Sequence, residues 1–482
     1  MTMDYSYQPA GDSIRQDDKT LFPIAILGDF SGRRHPPASS LSPDRPLRID
    51  CENFETVFAQ FDVTLPLPPI ETADDEPVLR FRRLEDFHPD ELLHQIEYLA
   101  RLVDLRTRLL NPASADAAVV ESRELLKISA AATGPLPSNS TETAEELLTR
   151  LLGKPATHPS KVTPAASAME NLIKRLVAPS VVPGPNPQQT QIVPLVENAL
   201  SKRLREVLHC PGFQALEAAW RGVDFLVRGT GDQTKYYLID VTKSDLTAML
   251  AGGELARTTV FKQLQEIGPA IVLGIYTFGL QDRSLLKELG SLAQANHTVF
   301  VGGASPEMAG CDSFGSQPDP DDWVQGQSLD ELDALRRMPE AGHLGLLMPR
   351  FLLRQPYGAG SDPIEAFPFE EMLSQPDHES YLWGNSAFLC GYLLADAFAA
   401  EGCEMDTHRG GEIDGLPVHA YTEAGETHVK PCAEAWLSDR AAGVILNHGI
   451  MPVASIRGRG AVEVKALRAF SLPPKPLPIR YG

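Results

Sequence analysis

Three stretches of the chain carry residue types that perform chemistry in other settings. Gly28-Asp29-Phe30-Ser31-Gly32 follows a short apolar run, the context of a phosphate loop. No Lys-Ser/Thr follows it to reach phosphate and magnesium, so it reads as a strand-ending turn. Gly229-Thr230-Gly231-Asp232 lacks the third glycine and the following helix of a dinucleotide fingerprint, and reads as a tight turn before a strand. Asp319, Asp321 and Asp322 could open a calcium loop. Counting from Asp319, however, Val324 stands at the required glycine, Trp323 at the next ligand position and Asp330 where a bidentate Glu belongs. An acidic loop is the better description.

The remaining candidates are dispersed. The 12 histidines form no HxH, HExxH or His-Cys cluster, so a metal site is not expected. The nearest strings to a nucleophile elbow, Asp312-Ser313-Phe314-Gly315 and Gly360-Ser361-Asp362, lack its pair of spaced glycines. Glu217 and Arg221 stand four apart on a helical pattern and can pair on one face, with Trp220 beside them as a core anchor. Pro349 and Arg350 precede Pro356-Tyr357-Gly358, so Arg350 is expected to pair with a carboxylate at a strand end, and Pro-Tyr-Gly to fix a turn. Trp383-Gly384-Asn385 is expected to open a helix, with Gly384 allowing close packing.

Composition bounds the function. With 482 residues the chain exceeds one ordinary domain. A net charge of −21 argues against nucleic acid, whose phosphates require clustered Lys and Arg, and against an anionic membrane surface. The six cysteines, at 51, 210, 311, 390, 403 and 432, have no CxxC spacing and fit a reducing cytoplasm. No signal peptide pattern opens the chain, and no run of about 18 apolar residues occurs to span a membrane.

The elements that must position these residues are mostly readable. A buried strand is expected over 23–27 and a half-exposed one over 78–82. A helix follows, entered through Asp86 to His88 with Pro89 in its first turn, and Leu92, Ile96, Leu99, Val103 and Leu110 forming one apolar stripe. Residues 112–190 read as a Pro-rich linker interrupted by two short amphipathic segments, 143–152 and 167–177. The second presents Met169, Leu172, Ile173, Leu176 and Val177 on one face, too short to persist undocked. Beyond 190 helices are expected over 193–207, 213–227, 244–250, 281–296, 328–337 and 381–401. The strands fall at 236–241, 271–278, 298–301 and 344–347. Ser328 and Glu331 have capping-box spacing. The alternation gives a mixed α/β fold, with two halves joined by the linker. The expected division is a flexible N-terminus (1–20), a first region (21–111), the linker (112–190), a second region (191–455) and a Pro-rich tail (456–482).

Longer blocks carry a family resemblance. Leu208-His209-Cys210-Pro211-Gly212-Phe213-Gln214, continuing to Gly222, resembles a signature of the large subunit of the type VI secretion contractile sheath. Met348 to Gly358 and Tyr381-Leu382-Trp383-Gly384-Asn385 resemble later blocks of the same subunit. Ile26 to Arg33 and Leu79 to Asp90 resemble the small sheath subunit. The resemblance implies a natural fusion of the two, which would hold its halves at roughly millimolar effective concentration. It also implies self-association into rings or a helical sheath around a hexameric inner tube. Contraction would drive effectors outward, with baseplate contacts and disassembly by an ATP-driven AAA+ unfoldase. By position, 167–177 resembles the helix such an unfoldase recognises, or it packs on its own domain. The large-subunit family continues beyond the point corresponding to Gly482. The resemblance therefore implies a C-terminally shortened subunit, and the closely spaced prolines of 472–479, which cannot supply a central strand, argue against the family's strand exchange between protomers. Two alternatives stay open: a non-polymerising relative acting as a cap, baseplate-associated or regulatory adaptor, and a cryptic α/β enzyme. Neither cofactor nor catalytic residue is assigned.

Overall fold

The computed structural model describes residues 21–32, 45–68, 78–127, 187–317, 319–324, 327–373 and 375–479. Its strands are β1 (Phe22–Gly28), β2 (Leu47–Ile49), β3 (Val63–Pro66), β4 (Val78–Phe81), β5 (Thr234–Asp240), β6 (Ile271–Phe278), β7 (Phe300–Ala304), β8 (Leu344–Met348), β9 (Phe351–Leu352), β10 (Trp383–Gly384), β11 (Arg409–Asp414), β12 (His419–Glu423), β13 (Glu426–Lys430), β14 (Met451–Ser455) and β15 (Ala461–Ala466). Its helices are α1 (Phe54–Gln60), α2 (Pro89–Gln95), α3 (Glu97–Leu110), α4 (Ala115–Leu125), α5 (Pro187–Leu208), α6 (Pro211–Gly229), α7 (Lys243–Leu250), α8 (Thr259–Ile267), α9 (Arg283–Ala295), α10 (Gln327–Arg336), α11 (Ala387–Glu401) and α12 (Asp439–Asn447). The fold is mixed α/β, as the alternation of patterns predicts. Two compact units emerge, Met1–Gln95 with Arg205–Gly482, and Ile96–Leu204.

The larger unit is built on one nine-stranded sheet, ordered β11-β15-β14-β8-β7-β6-β1-β5-β2. β1 comes from the N-terminal region but lies between β5 and β6, parallel to both. Ile24, Ala25, Ile26 and Leu27 are fully buried, which is why this strand is a continuous apolar run rather than an alternating one. Successive side chains serve opposite faces. Ala25 and Leu27 join a core with Leu246, Leu264, Leu289 and Leu332 from α7 to α10. On the other face α11 packs so closely that a Cβ at Gly391 would lie 2.6 Å from Leu273. α11 is apolar on most sides because it is buried, and α6 meets it at Gly222, over which the Phe388 ring lies. The two regions of sequence therefore share one core.

The smaller unit is helical. Leu99, Leu102, Leu105 and Leu109 of α3 are buried, as are Ala118 and Val119 of α4 and Ile192, Val196 and Leu200 of α5. Arg106 pairs with Glu197 at 2.7 Å, and Arg108 with Glu121 at 2.8 Å.

Several expectations need correction. The single helix through 89–110 is two, α2 and α3, because Ile96 is extended (φ −99°, ψ 109°). The break resets the helical phase, so Val103 is only half-buried and Leu110 is 52% exposed while Leu102 and Leu105 take the core. Residues 112–127 carry α4, and α5 begins three residues before the linker was expected to end. Residues 381–386 are not helical, because Trp383–Gly384 pairs with Phe351–Leu352 as β10 and β9, and α11 starts at Ala387. α10 begins at Gln327, which puts Ser328 inside its first turn instead of at the cap. The tail from 456 contributes β15, an alternating strand antiparallel to β14 and β11, before its prolines begin at Pro473. Also unexpected are α1, α8, α12 and the strands β11 to β14.

Candidate functional site

The strand order reverses at β1, where β5 lies to one side and β6 to the other. Open α/β sheets bind ligands beyond the carboxyl ends of their strands at such a point. The Gly28–Gly32 turn occupies this place. Its amides are already committed, because Asp240 Oδ1, at the end of β5, accepts from Phe30 N–H at 2.8 Å and Ser31 N–H at 3.3 Å. Asp29 Oδ1 accepts from Gly32 N–H at 2.9 Å. Gly32 has φ +71°, and a Cβ there would lie 2.5 Å from Thr64 O, so this position requires glycine. Burial pushes the Asp29 carboxyl up to about 6, against the Gly32 amide, and the neighbouring Asp240 and Asp245 add to the rise. The turn thus binds a carboxylate of its own chain within a negative field, the opposite of a phosphate cradle.

Next to it stands an aromatic cluster joining the two regions of sequence. Trp220 on α6 is fully buried and its Nε1–H donates to Phe30 O at 2.9 Å. The rings of Phe30, Phe54, Phe58 and Phe61 surround it, with centroids 4.2 to 6.0 Å away. Filling this pocket takes an α6 residue with both a large apolar ring and a donor, which is what Trp offers.

One turn of helix away lies a buried ion network. Glu217, fully buried, accepts from Arg221 Nε at 2.7 Å and from Arg354 Nε at 2.8 Å. Arg354 also donates to Glu371 at 2.7 Å and stacks 4.1 Å from the Tyr357 ring centroid. Tyr357 N–H donates to Glu371 at 2.8 Å, and Arg221 to the Tyr357 hydroxyl at 3.1 Å. Burial raises the Glu371 carboxyl, but Arg354, His209 and the Tyr357 amide outweigh it and hold it at about 2. Burial raises the Tyr357 hydroxyl to about 12. With the Glu371 carboxyl held low and the Tyr357 hydroxyl held high, this pair serves as fixed hydrogen-bonding partners rather than as proton carriers. Pro356 O accepts from Ser361, and a Cβ at Gly358 would collide with the Glu370 carboxylate, so Pro356-Tyr357-Gly358 does form a tight turn.

A second network gathers around Arg350. It donates to Glu379 at 3.0 Å and to Glu434 at 2.5 Å, and lies over the Trp383 ring. Burial lifts the Glu434 carboxyl, yet His378 and Arg350 bring it down to about 2. Pro349 O accepts from Ser386, Asn385 donates to Tyr276 O and accepts from Ala387 N–H at the start of α11, and a Cβ at Gly384 would meet Leu353 at 2.7 Å. A cleft of about 510 Å3 opens between these groups, lined by His209, Gln214, Arg350, Tyr381, Trp383 and Asn385 among others, so the blocks at 208–222, 348–358 and 381–385 all border it.

The ligand atoms of His378, Glu379 and Glu434 lie within 4.8 Å of one another, the spacing of a metal triad. Hydrogen bonding opposes that use. Lys430 Nζ, an ammonium donor, lies 2.7 Å from His378 Nδ1, so that nitrogen accepts and the proton sits on Nε2, 3.0 Å from Glu434. The nitrogen facing the carboxylates has no lone pair to give, and both carboxylates already hold Arg350.

Sequence reasoning placed Glu217, Trp220, Arg221, Arg350 and the turn at Gly28. It missed Asp240, Arg354, Glu371, His378, Lys430 and Glu434. Arg354 stood inside a singled-out block, but its partners lie 137 and 17 residues away. Met169, Leu172, Ile173, Leu176 and Val177 lie outside the described residues. Among the described residues no helix is long and apolar enough to cross a membrane.

Residues 190–467 match the family described as EvpB/VC_A0108, tail sheath N-terminal domain, and residues 3–127 match that described as Type VI secretion system, VipA, VC_A0107 or Hcp2. Among curated proteins, the Type VI secretion system sheath protein TssC1 of Pseudomonas aeruginosa is 32% identical over 284 residues, covering 54% of this chain. The chain spans 57% of that relative's length.

Proposed function

The chain belongs to the type VI secretion sheath family, with a VipA-like region ahead of a tail sheath N-terminal domain, and from that premise we propose that it is a single-chain structural protomer of a contractile sheath. In this reading it self-associates into rings or a helical sheath around a hexameric inner tube, attaches to baseplate components, and drives effector delivery by contracting. The segment 167–177 is the proposed docking element for an AAA+ unfoldase.

The observation that carries the reading is the place of β1. A strand from the small-subunit-like region completes the sheet of the large-subunit-like region, and Trp220 of the latter is enclosed by four phenylalanines of the former. Such a shared core ties the two regions of sequence together, as a force-bearing lattice requires. The fixed ion networks supply stiffness rather than turnover.

Negative-stain electron microscopy of the purified full chain, alone and mixed with a hexameric tube protein, tests the reading. Rings or tubules of regular diameter are expected. A chain that stays monomeric in both samples, by microscopy and by sedimentation, would reject the sheath reading in favour of a non-polymerising adaptor.

A further inference from the structure

The β12–β13 hairpin forms a two-stranded sheet of its own, apart from the nine-stranded sheet. Its two-residue turn, Ala424-Gly425, has positive φ at both positions, and the register pairs Glu423 with Glu426 beside it. In such a hairpin the residues next to the turn exchange both backbone bonds, and bonded pairs then alternate with unbonded ones. Tyr421–His428 and His419–Lys430 are therefore the other bonded pairs. Ala420 and Thr422 face the opposite way. Their N–H and C=O groups lie on the open edge of β12, and neither residue bonds there to another backbone group among the described residues.

That edge borders a groove of about 460 Å3. Ala420, Tyr421 and Thr422 line it from the hairpin, and Ser361, Met372 and Leu373 line it from the segment between β9 and β10. Side chains brace the hairpin beside it. Gln355 donates to Val418 O at 2.9 Å, Gln375 donates to Glu423 at 3.0 Å, and the Tyr381 hydroxyl meets His419 Nδ1 at 2.8 Å. These ties fall at the two ends of β12 and leave Ala420 and Thr422 open between them. At roughly 3.4 Å per residue the edge from Val418 to Glu423 is about 17 Å long, room for an extended segment of about four residues.

The walls say what such a segment would carry. Leu373 is 63% exposed, an apolar surface for the side chains on one face of an added strand. Among the described residues that line the groove, Glu370 carries the one formal charge, and none is Lys or Arg. Glu423 and Glu426 add two more carboxylates at the hairpin turn.

We propose that this groove binds an extended, basic peptide segment of a partner protein by strand addition to β12. The segment's backbone pairs with Ala420 and Thr422, its alternate side chains lie against Met372 and Leu373, and one of its cations meets Glu370. The proposal is independent of whether the chain forms a sheath.

Selection of a phage-displayed random decapeptide library on the full chain, followed by fluorescence-anisotropy titration of the enriched synthetic peptides, tests it. Net-positive sequences with apolar residues at alternate positions are expected. The variant Thr422→Pro removes one edge N–H and leaves the bonds facing β13 in place, because proline is tolerated where an edge strand's N–H points away from its partner. It is expected to weaken each peptide about tenfold, the effect of one backbone bond left unmade at a covered site. Leu373→Ser changes an exposed side chain that the core does not use, and is expected to weaken binding by about the same factor even if Thr422→Pro disturbs the hairpin. Failure of the library to enrich overturns the proposal. So do enriched peptides that are acidic or carry a helical repeat, or that bind either variant as tightly as the parent chain.

Discussion

Asp29 is the residue at which the fold works against itself, and replacing it by Asn should stabilise the protein. The carboxyl rises from 3.8 to about 6, chiefly through burial and further through Asp240 and Asp245. One pKa unit corresponds to about 1.4 kcal/mol, so the ceiling on the cost of ionising Asp29 in the native state is about 3 kcal/mol. Residual solvent contact screens the charge, and about 1–2 kcal/mol is the working figure. The sign follows from the folded value lying above the unfolded one. The native state binds the proton more tightly, so stability is greatest below about pH 4 and falls as pH rises towards 6. Asn keeps an oxygen to accept from Gly32 N–H and does not titrate. Asp29→Asn is therefore expected to raise the melting midpoint at pH 7.5 by about 2–5 °C. The gain should shrink to roughly half at pH 5 and vanish near pH 4. Paired urea or thermal melts across this series measure it. A destabilised variant at pH 7.5, or a gain that does not change with pH, would refute the assignment of a buried, proton-hungry carboxyl to this turn.

Arg354→Met should cost about 3–5 kcal/mol in urea unfolding, because it leaves Glu217 and Glu371 buried with less compensation; adding Glu217→Gln and Glu371→Gln should recover part of that, and a loss under about 1 kcal/mol would mean the network is solvated. The pair Leu172→Asp and Leu176→Asp should abolish binding of an AAA+ unfoldase while the melting midpoint holds; a fall of several degrees with binding intact would assign 167–177 to packing on its own domain, at about 2–4 °C per kcal/mol.

What could be read from sequence was local. Glu217 and Arg221 are one helical turn apart, so their pairing needs only helical geometry, and the observed 2.7 Å contact is the one the spacing gives. The chemistry of the Gly28 turn was not local. Missing phosphate ligands argued against a nucleotide, but nothing in the stretch revealed that Asp240, 210 residues away, fills it. The same holds for Arg354 with Glu217, and for His378 with Lys430, which meet only because the segment between β9 and β10 lies against the end of β13. The stripe through Leu92, Ile96, Leu99 and Val103 looked continuous since apolar spacing alone does not show a break. Ile96 is buried in extended backbone, and its burial mimics a helical repeat. β15 was obscured by the prolines that follow it, although Val462 and Val464 are both fully buried.

The position of β1 also fixes a timetable. It leaves the ribosome well before both strands that flank it, and its neighbour β6 ends at Phe278, about 250 residues after Gly28. At about 5–20 residues per second, Ile24 to Leu27 wait roughly 10–50 s before both flanking strands exist. Through that interval a four-residue apolar segment is an orphan that nascent-chain chaperones can capture. Separate small and large subunits would face the same wait as a search between two polypeptides, slower at low expression. On one chain the delay depends on translation speed alone, so slow codons between 28 and 278 would lengthen it and expression level would not.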